Sequence, residues 1–100
     1  MNDFENRVQE TLRLLQESCQ QREISIAGDG SVSEAAAENL LGYARRTMRH
    51  QRDEGRLALP RRRVGNRWMY RLKDLAAYLE SSYEPGWSES LERSKEQPRP

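Results

Sequence analysis

Between residues 45 and 73 the 100-residue chain places eleven lysines and arginines against two acids. Arg45, Arg46, Arg49 and Arg52 follow one another at helical spacings, with Thr47 and His50 among them. After Pro60 come Arg61-Arg62-Arg63, then Gly65-Asn66 and Arg67. Side chains of this kind have two uses on a nucleic acid. A guanidinium neutralises phosphates, and it can also fork onto O6 and N7 of a guanine in the major groove. A tip of small residues such as Gly65-Asn66 can approach a phosphate backbone or enter a minor groove. The candidate contacts are therefore Arg45, Arg46, Arg49 and His50 for the groove, with Thr47 on a nearby phosphate. Arg63, Asn66 and Arg67 form a second group.

The rest of the chain is acidic. Residues 1–44 carry −5 and residues 74–100 carry −3, so the +9 of the centre disappears into a net charge of +1. A concentrated basic stretch of this kind is the electrostatic footprint of nucleic-acid binding.

Other chemistries lack their residues. His50 is the single histidine and Cys19 the single cysteine, which leaves no partnered triad, no cysteine zinc site and no internal disulfide. Asp53 and Glu54 are adjacent and do not share a helix face, so they make a poor acid–base pair. No glycine loop cradles a phosphate. The expectation is a protein with no catalytic step, no metal and no cofactor. With 35% hydrophobic and 33% charged residues, the chain suits one modest core in a solvated shell. No apolar run approaches the ~18 residues of a membrane helix, and the acidic N-terminus lacks an apolar signal segment. A cytoplasmic protein with no membrane partner is expected.

Four helices and a hairpin must position these groups. Phe4, Val8, Leu12, Leu15 and Cys19 draw one apolar stripe, predicting an amphipathic helix over residues 3–22. Ile24 and Ile26 alternate with polar neighbours like a short strand. Ala27-Gly28-Asp29-Gly30-Ser31 then reads as a hinge, so residues 1–31 form an N-terminal helix and hinge. Ser33 caps a second helix that stops at Gly42, and a third runs from about Ala44 to Glu54 and stops at Gly55. The pair makes a helix-turn-helix. Arg61–Val64 and Arg67–Leu72 flank Gly65-Asn66 as a two-stranded hairpin. In its second strand Trp68, Tyr70 and Leu72 share one face, while Arg67, Met69 and Arg71 share the other. Core packing is the better reading of Trp68 and Tyr70, although exposed rings of this type also stack on bases. A last helix over residues 73–82 presents Leu75, Ala76 and Leu79, completing a domain over residues 32–84. Residues 85–100, with Trp87 and Leu91, read as a disordered tail.

The stretch Ser33–Ser82 resembles the MerR-like and phage excisionase-like group of small winged helix-turn-helix domains. The matching pieces are Leu40-Leu41-Gly42, Arg45-Arg46-Thr47-Met48 and Glu54-Gly55-Arg56-Leu57. The most specific is PRRRVGNRWMYRLKDLAAYL, Pro60 through Leu79. The resemblance implies that the helix from Ala44 enters a major groove and that the wing around Gly65 touches the flanking backbone. It also places an N-cap at Ala44, where members carry Ser or Thr, and puts Gln51 and Arg52 where members are apolar. The expected fold is mostly α with a small β-hairpin: a winged domain preceded by an extra amphipathic helix.

The expected partner is double-stranded DNA. The expected role is a small transcriptional regulator, or else an excisionase-like architectural factor of a mobile element or plasmid that directs a recombinase. An RNA polymerase or a recombinase is then a second partner. A protein-interaction module is the alternative from another class. The stripe Val8, Leu12, Leu15 and Cys19 has two candidate partners: its own winged domain, or a second copy of the chain.

Overall fold

The computed structural model describes residues 3–84, so the tail expected over 85–100 lies outside the described residues. In chain order the elements are α1 (Asp3–Gln21), β1 (Ser31–Ser33), α2 (Glu34–Leu41), α3 (Thr47–Asp53), β2 (Arg62–Val64), β3 (Arg67–Arg71) and α4 (Leu72–Ser82).

The hairpin forms where the alternation places it. Gly65, at φ +60, takes the first central position of the two-residue turn, where a II′ geometry requires positive φ. Val64 then pairs with Arg67, Arg63 with Trp68 and Arg62 with Met69. This register turns Tyr70 and Leu72 into the core and leaves Arg67 and Arg71 exposed.

The sheet has a third strand that the alternation does not predict. β1 pairs antiparallel with β3, Val32 opposite Tyr70, so β3 is central and the order is β1-β3-β2. The strand expected at Ile24–Ile26 does not form; Ile26 is exposed. The chain instead turns tightly before β1. Asp29 Oδ1 accepts from the Ser31 backbone N–H at 3.1 Å and from its hydroxyl at 2.5 Å, and Gly30 takes φ +80. The open edge of β3, not local periodicity, decides where the strand lies.

Ser33 caps α2 as its sequence suggests, its Oγ accepting from the Ala36 N–H at 3.3 Å, and Gly42 ends the helix at φ +78. The third helix begins later than expected. Arg45 and Arg46 lie in the turn ahead of it, and Arg46 has φ +69, which no helix interior accommodates. The N-cap place at Ala44 is not used. Glu38, buried on α2, takes over with Oε2 accepting from the Met48 N–H at 2.9 Å. The other end follows the sequence: Gly55 adopts φ +72, and the Arg56 N–H reaches back to the Gln51 carbonyl at 2.8 Å.

One core joins every layer. Leu15 and Cys19 of α1, Val32, Ala37, Met48, Leu59, Tyr70, Leu72, Leu75 and Ala76 are all buried, with Val8 and Leu12 packed against them. The α1 stripe thus packs on its own domain, chiefly along α4. Thr11 donates to Glu80 Oε2 at 2.7 Å, and Arg7 lies 3.4 Å from Glu80 Oε1. Burial pushes the Cys19 thiol pKa up, opposed by the nearby charge of Arg22. No helix among the described residues is long and apolar enough to cross a membrane.

Candidate nucleic-acid interface

A groove of about 670 Å³ runs between α3 and the wing. Arg49 lines it from the helix, and Arg63, Asn66 and Arg67 line it from the hairpin. Four of the eight candidate residues, separated by as many as 18 positions in sequence, are thereby brought to one concave surface. The other four are exposed or half-buried at the start of α3: Arg45 and Arg46 in the turn, Thr47 in the first helical position, and His50 one turn on.

Availability separates these cations. Arg45, Arg46 and Arg67 make no side-chain ion pair or hydrogen bond among the described residues, so each is exposed with its charge uncommitted. Arg49 is held only loosely, its Nε 3.9 Å from Asp53 across an exposed helical turn. Arg63 is steered by its own hairpin. Its Nε donates to the Gly65 carbonyl at 3.2 Å, and its guanidinium lies 5.6 Å from the Trp68 ring centre.

Arg52 has a different task from Arg49, three residues before it. It forks onto the Glu34 carboxylate, Nη2 to Oε1 at 3.0 Å and Nε to Oε2 at 3.2 Å. Its guanidinium also sits 5.3 Å from the Trp68 ring centre, and its side chain is only 20% exposed. Tyr70 donates from its hydroxyl to the same Glu34 Oε2 at 2.5 Å. Burial would raise the Glu34 pKa, but the hydrogen bonds from Arg52 and Tyr70 outweigh it and hold the carboxyl below its ordinary value. Burial, reinforced by the Glu34 carboxylate, pushes the Tyr70 phenol well up.

Trp68 is accordingly neither a free stacking platform nor a fully buried core ring. It is half-buried under Arg52, Arg61 and Arg63, whose guanidiniums all lie within 5.3–5.6 Å of its centre. Arg61 also donates to the Leu57 and Leu59 carbonyls, tying the linker ahead of the wing.

Glu34, Glu38, Arg52 and Arg61 are the residues that inspection of the charge pattern misses. A faint signal exists for the first two, since Glu34 and Glu38 lie one helical turn apart directly after the Ser33 cap. For Arg52 the one signal that distinguishes it from Arg49 is the resemblance, which puts it where members of the family are apolar. Among the described residues no group of three or more His, Cys, Asp or Glu is placed to hold a metal ion. Asp53 and Glu54 sit among arginines instead, Glu54 2.7 Å from Arg56.

Comparison with known families matches a helix-turn-helix domain to residues 31–83, which takes in every element from β1 to α4. No curated protein and no solved structure gives a match to the chain.

Proposed function

The chain belongs to the helix-turn-helix domain family, a DNA-binding family, and from that premise we propose a small transcriptional regulator that reads a specific double-stranded site. The observation that carries the reading is the groove that unites Arg49 of α3 with Arg63, Asn66 and Arg67 of the wing. In this reading α3 enters the major groove. Arg49 and His50 face base edges there, Arg45 and Arg46 approach from the turn, and Thr47 meets a phosphate. The wing follows the adjacent backbone or minor groove with Arg63, Asn66 and Arg67. Phosphate contacts set the register, and the few base contacts set the sequence. The mechanism is occupancy: bound protein changes what a polymerase can do at that site.

Selection of bound duplexes from a random pool at ~150 mM salt, where phosphate-only binding is weak, tests this directly. An enriched motif supports specific readout. Binding that fades steeply with salt and enriches nothing reduces the basic surface to a backbone clamp. Absence of binding, with a protein complex recovered instead, favours an interaction module. A second reading rests on the wing segment Pro60–Leu79: an architectural factor of a mobile element that directs a recombinase. Closely packed direct repeats in the enriched site favour that role, whereas spaced inverted half-sites favour the regulator.

A further inference from the structure

We propose that Glu34 is a positioning residue that fixes α3 relative to the wing, and thereby makes recognition depend on the spacing of two DNA segments. The inference rests on the DNA-reading function proposed above and assigns a task within it.

Three elements meet at one carboxylate. Glu34 stands in the first turn of α2, next to its Ser33 cap, where the helix dipole favours an anion and the backbone is held firmly. From there it accepts the Arg52 fork, which belongs to α3, and the Tyr70 hydroxyl, which belongs to β3. Arg52 continues the bridge by covering Trp68, the β3 residue paired with Arg63 of β2. Glu34 and Arg52 also line the groove itself, with side chains 19% and 20% exposed.

The bridge lies one step from three of the candidate contacts. Arg49 is one turn before Arg52 on α3, Arg67 directly precedes Trp68, and Arg63 sits opposite it. α3 has only seven residues, so its orientation rests on Met48 in the core, the Glu38 cap and this fork. The fork is the member of that set that reaches the wing. A bidentate guanidinium–carboxylate pair fixes angle as well as distance. Without it the recognition helix and the hairpin each persist, and their relative placement loosens.

The test compares the full chain with Glu34→Gln, which keeps size but replaces one acceptor oxygen by a donor. Each binds three duplexes: the selected site, the same site with one base pair inserted between the helix-facing and wing-facing segments, and a random sequence. The insertion displaces one segment by ~3.4 Å along the axis. The wild type is expected to prefer the uninterrupted site by about tenfold, the scale of one lost base contact. Glu34→Gln is expected to reduce that preference to about twofold. Its affinity for random duplex rises with the carboxylate charge removed from the groove, and because that gain applies equally to both spaced sites it cancels from the ratio. A preference retained at full strength overturns the proposal.

Should Glu34→Gln fail to fold, Arg52→Lys keeps the charge but removes the fork, and its spacing preference is read in the same two directions. A wild type with no preferred duplex overturns the DNA-reading function, and the positioning role is then decided in the free protein. Residual dipolar couplings measure the angle between α3 and the β2–β3 hairpin. An angle that spreads in Arg52→Lys upholds the role of Glu34, and an unchanged angle overturns it.

Discussion

Glu38 of α2 caps a helix that begins nine residues after it, its carboxylate accepting from the backbone N–H of Met48 at 2.9 Å. The bond is buried and Met48 itself is fully covered, so the start of α3 is anchored on both sides of the backbone. Removing the acceptor leaves a buried N–H without a partner. Glu38→Ala is expected to lower unfolding free energy by about 1–3 kcal/mol, and Glu38→Gln, which keeps a carbonyl acceptor, by less. Urea titrations of the three proteins order them; equal stability of Glu38→Ala and wild type contradicts the cap.

Arg49 and Arg52 should part company when each is replaced by alanine. Arg49→Ala is expected to cost about 1–3 kcal/mol of binding to the best site, with little change in stability. Arg52→Ala leaves Glu34 without its fork and uncovers Trp68, so unfolding shifts to lower denaturant. A thermal melt and one binding isotherm for each variant separate the two roles. An Arg49 loss of equal size on every sequence would make it a phosphate contact.

Acid should weaken the bridge in a defined direction. The native Glu34 carboxyl titrates below its ordinary value of 4.5, so between the two values the unfolded chain binds more protons than the folded one. Stability from this group is complete above the ordinary value and is lost as pH falls through the lower native value. Asp29 is shifted the same way, chiefly by the Ser31 hydroxyl, and adds to the loss. Denaturation followed from about pH 6 to about pH 2, across the range in which carboxylates titrate, should show a shallower decline in Glu34→Gln than in wild type.

The α1 stripe predicts its own behaviour in solution. Leu15 and Cys19 are spent on the core, so sedimentation at tens of micromolar is expected to find a monomer. Leu15→Ala should cost about 2–5 kcal/mol as a core truncation. Cys19 is fully buried, and its thiol should label only at the rate at which α1 opens from α4. Rapid labelling of the native chain would show that α1 does not hold this place.

Glu23 marks a site where the chain can be improved. It holds φ +55 at the end of α1, just before the Ile24 N–H returns to the Cys19 carbonyl at 2.8 Å. That is the position glycine favours after a helix. Glu23→Gly is expected to raise stability by about 0.5–1 kcal/mol, measured by the same urea titration.

The sequence determined whatever depends on neighbours along the chain. The Ser33 cap, the glycine stops at Gly42 and Gly55, the Gly65 turn and the α1 stripe are all local chemistry. Each was legible because a hydroxyl, a missing Cβ or a helical period acts within one or two turns. The basic groups at Arg49, Arg63, Asn66 and Arg67 were legible as charge and as turn residues on either side of the linker, though not as one surface.

Tertiary structure decided the rest, because the deciding partner lies far away in sequence. β1 forms at Ser31–Ser33, not at Ile24–Ile26, since an open edge of β3 satisfies its backbone groups nearly forty residues on. α3 starts at Thr47, leaving Arg45 and Arg46 in the turn, because Glu38 supplies the cap and Arg46 leaves helical φ. Arg49 and Arg52 are the same residue type on the same short helix. One is exposed in the groove and the other is a strut, because only Arg52 faces Glu34 and Trp68. A guanidinium has the same chemistry in either place, and its surroundings alone determine whether its charge is left for a partner.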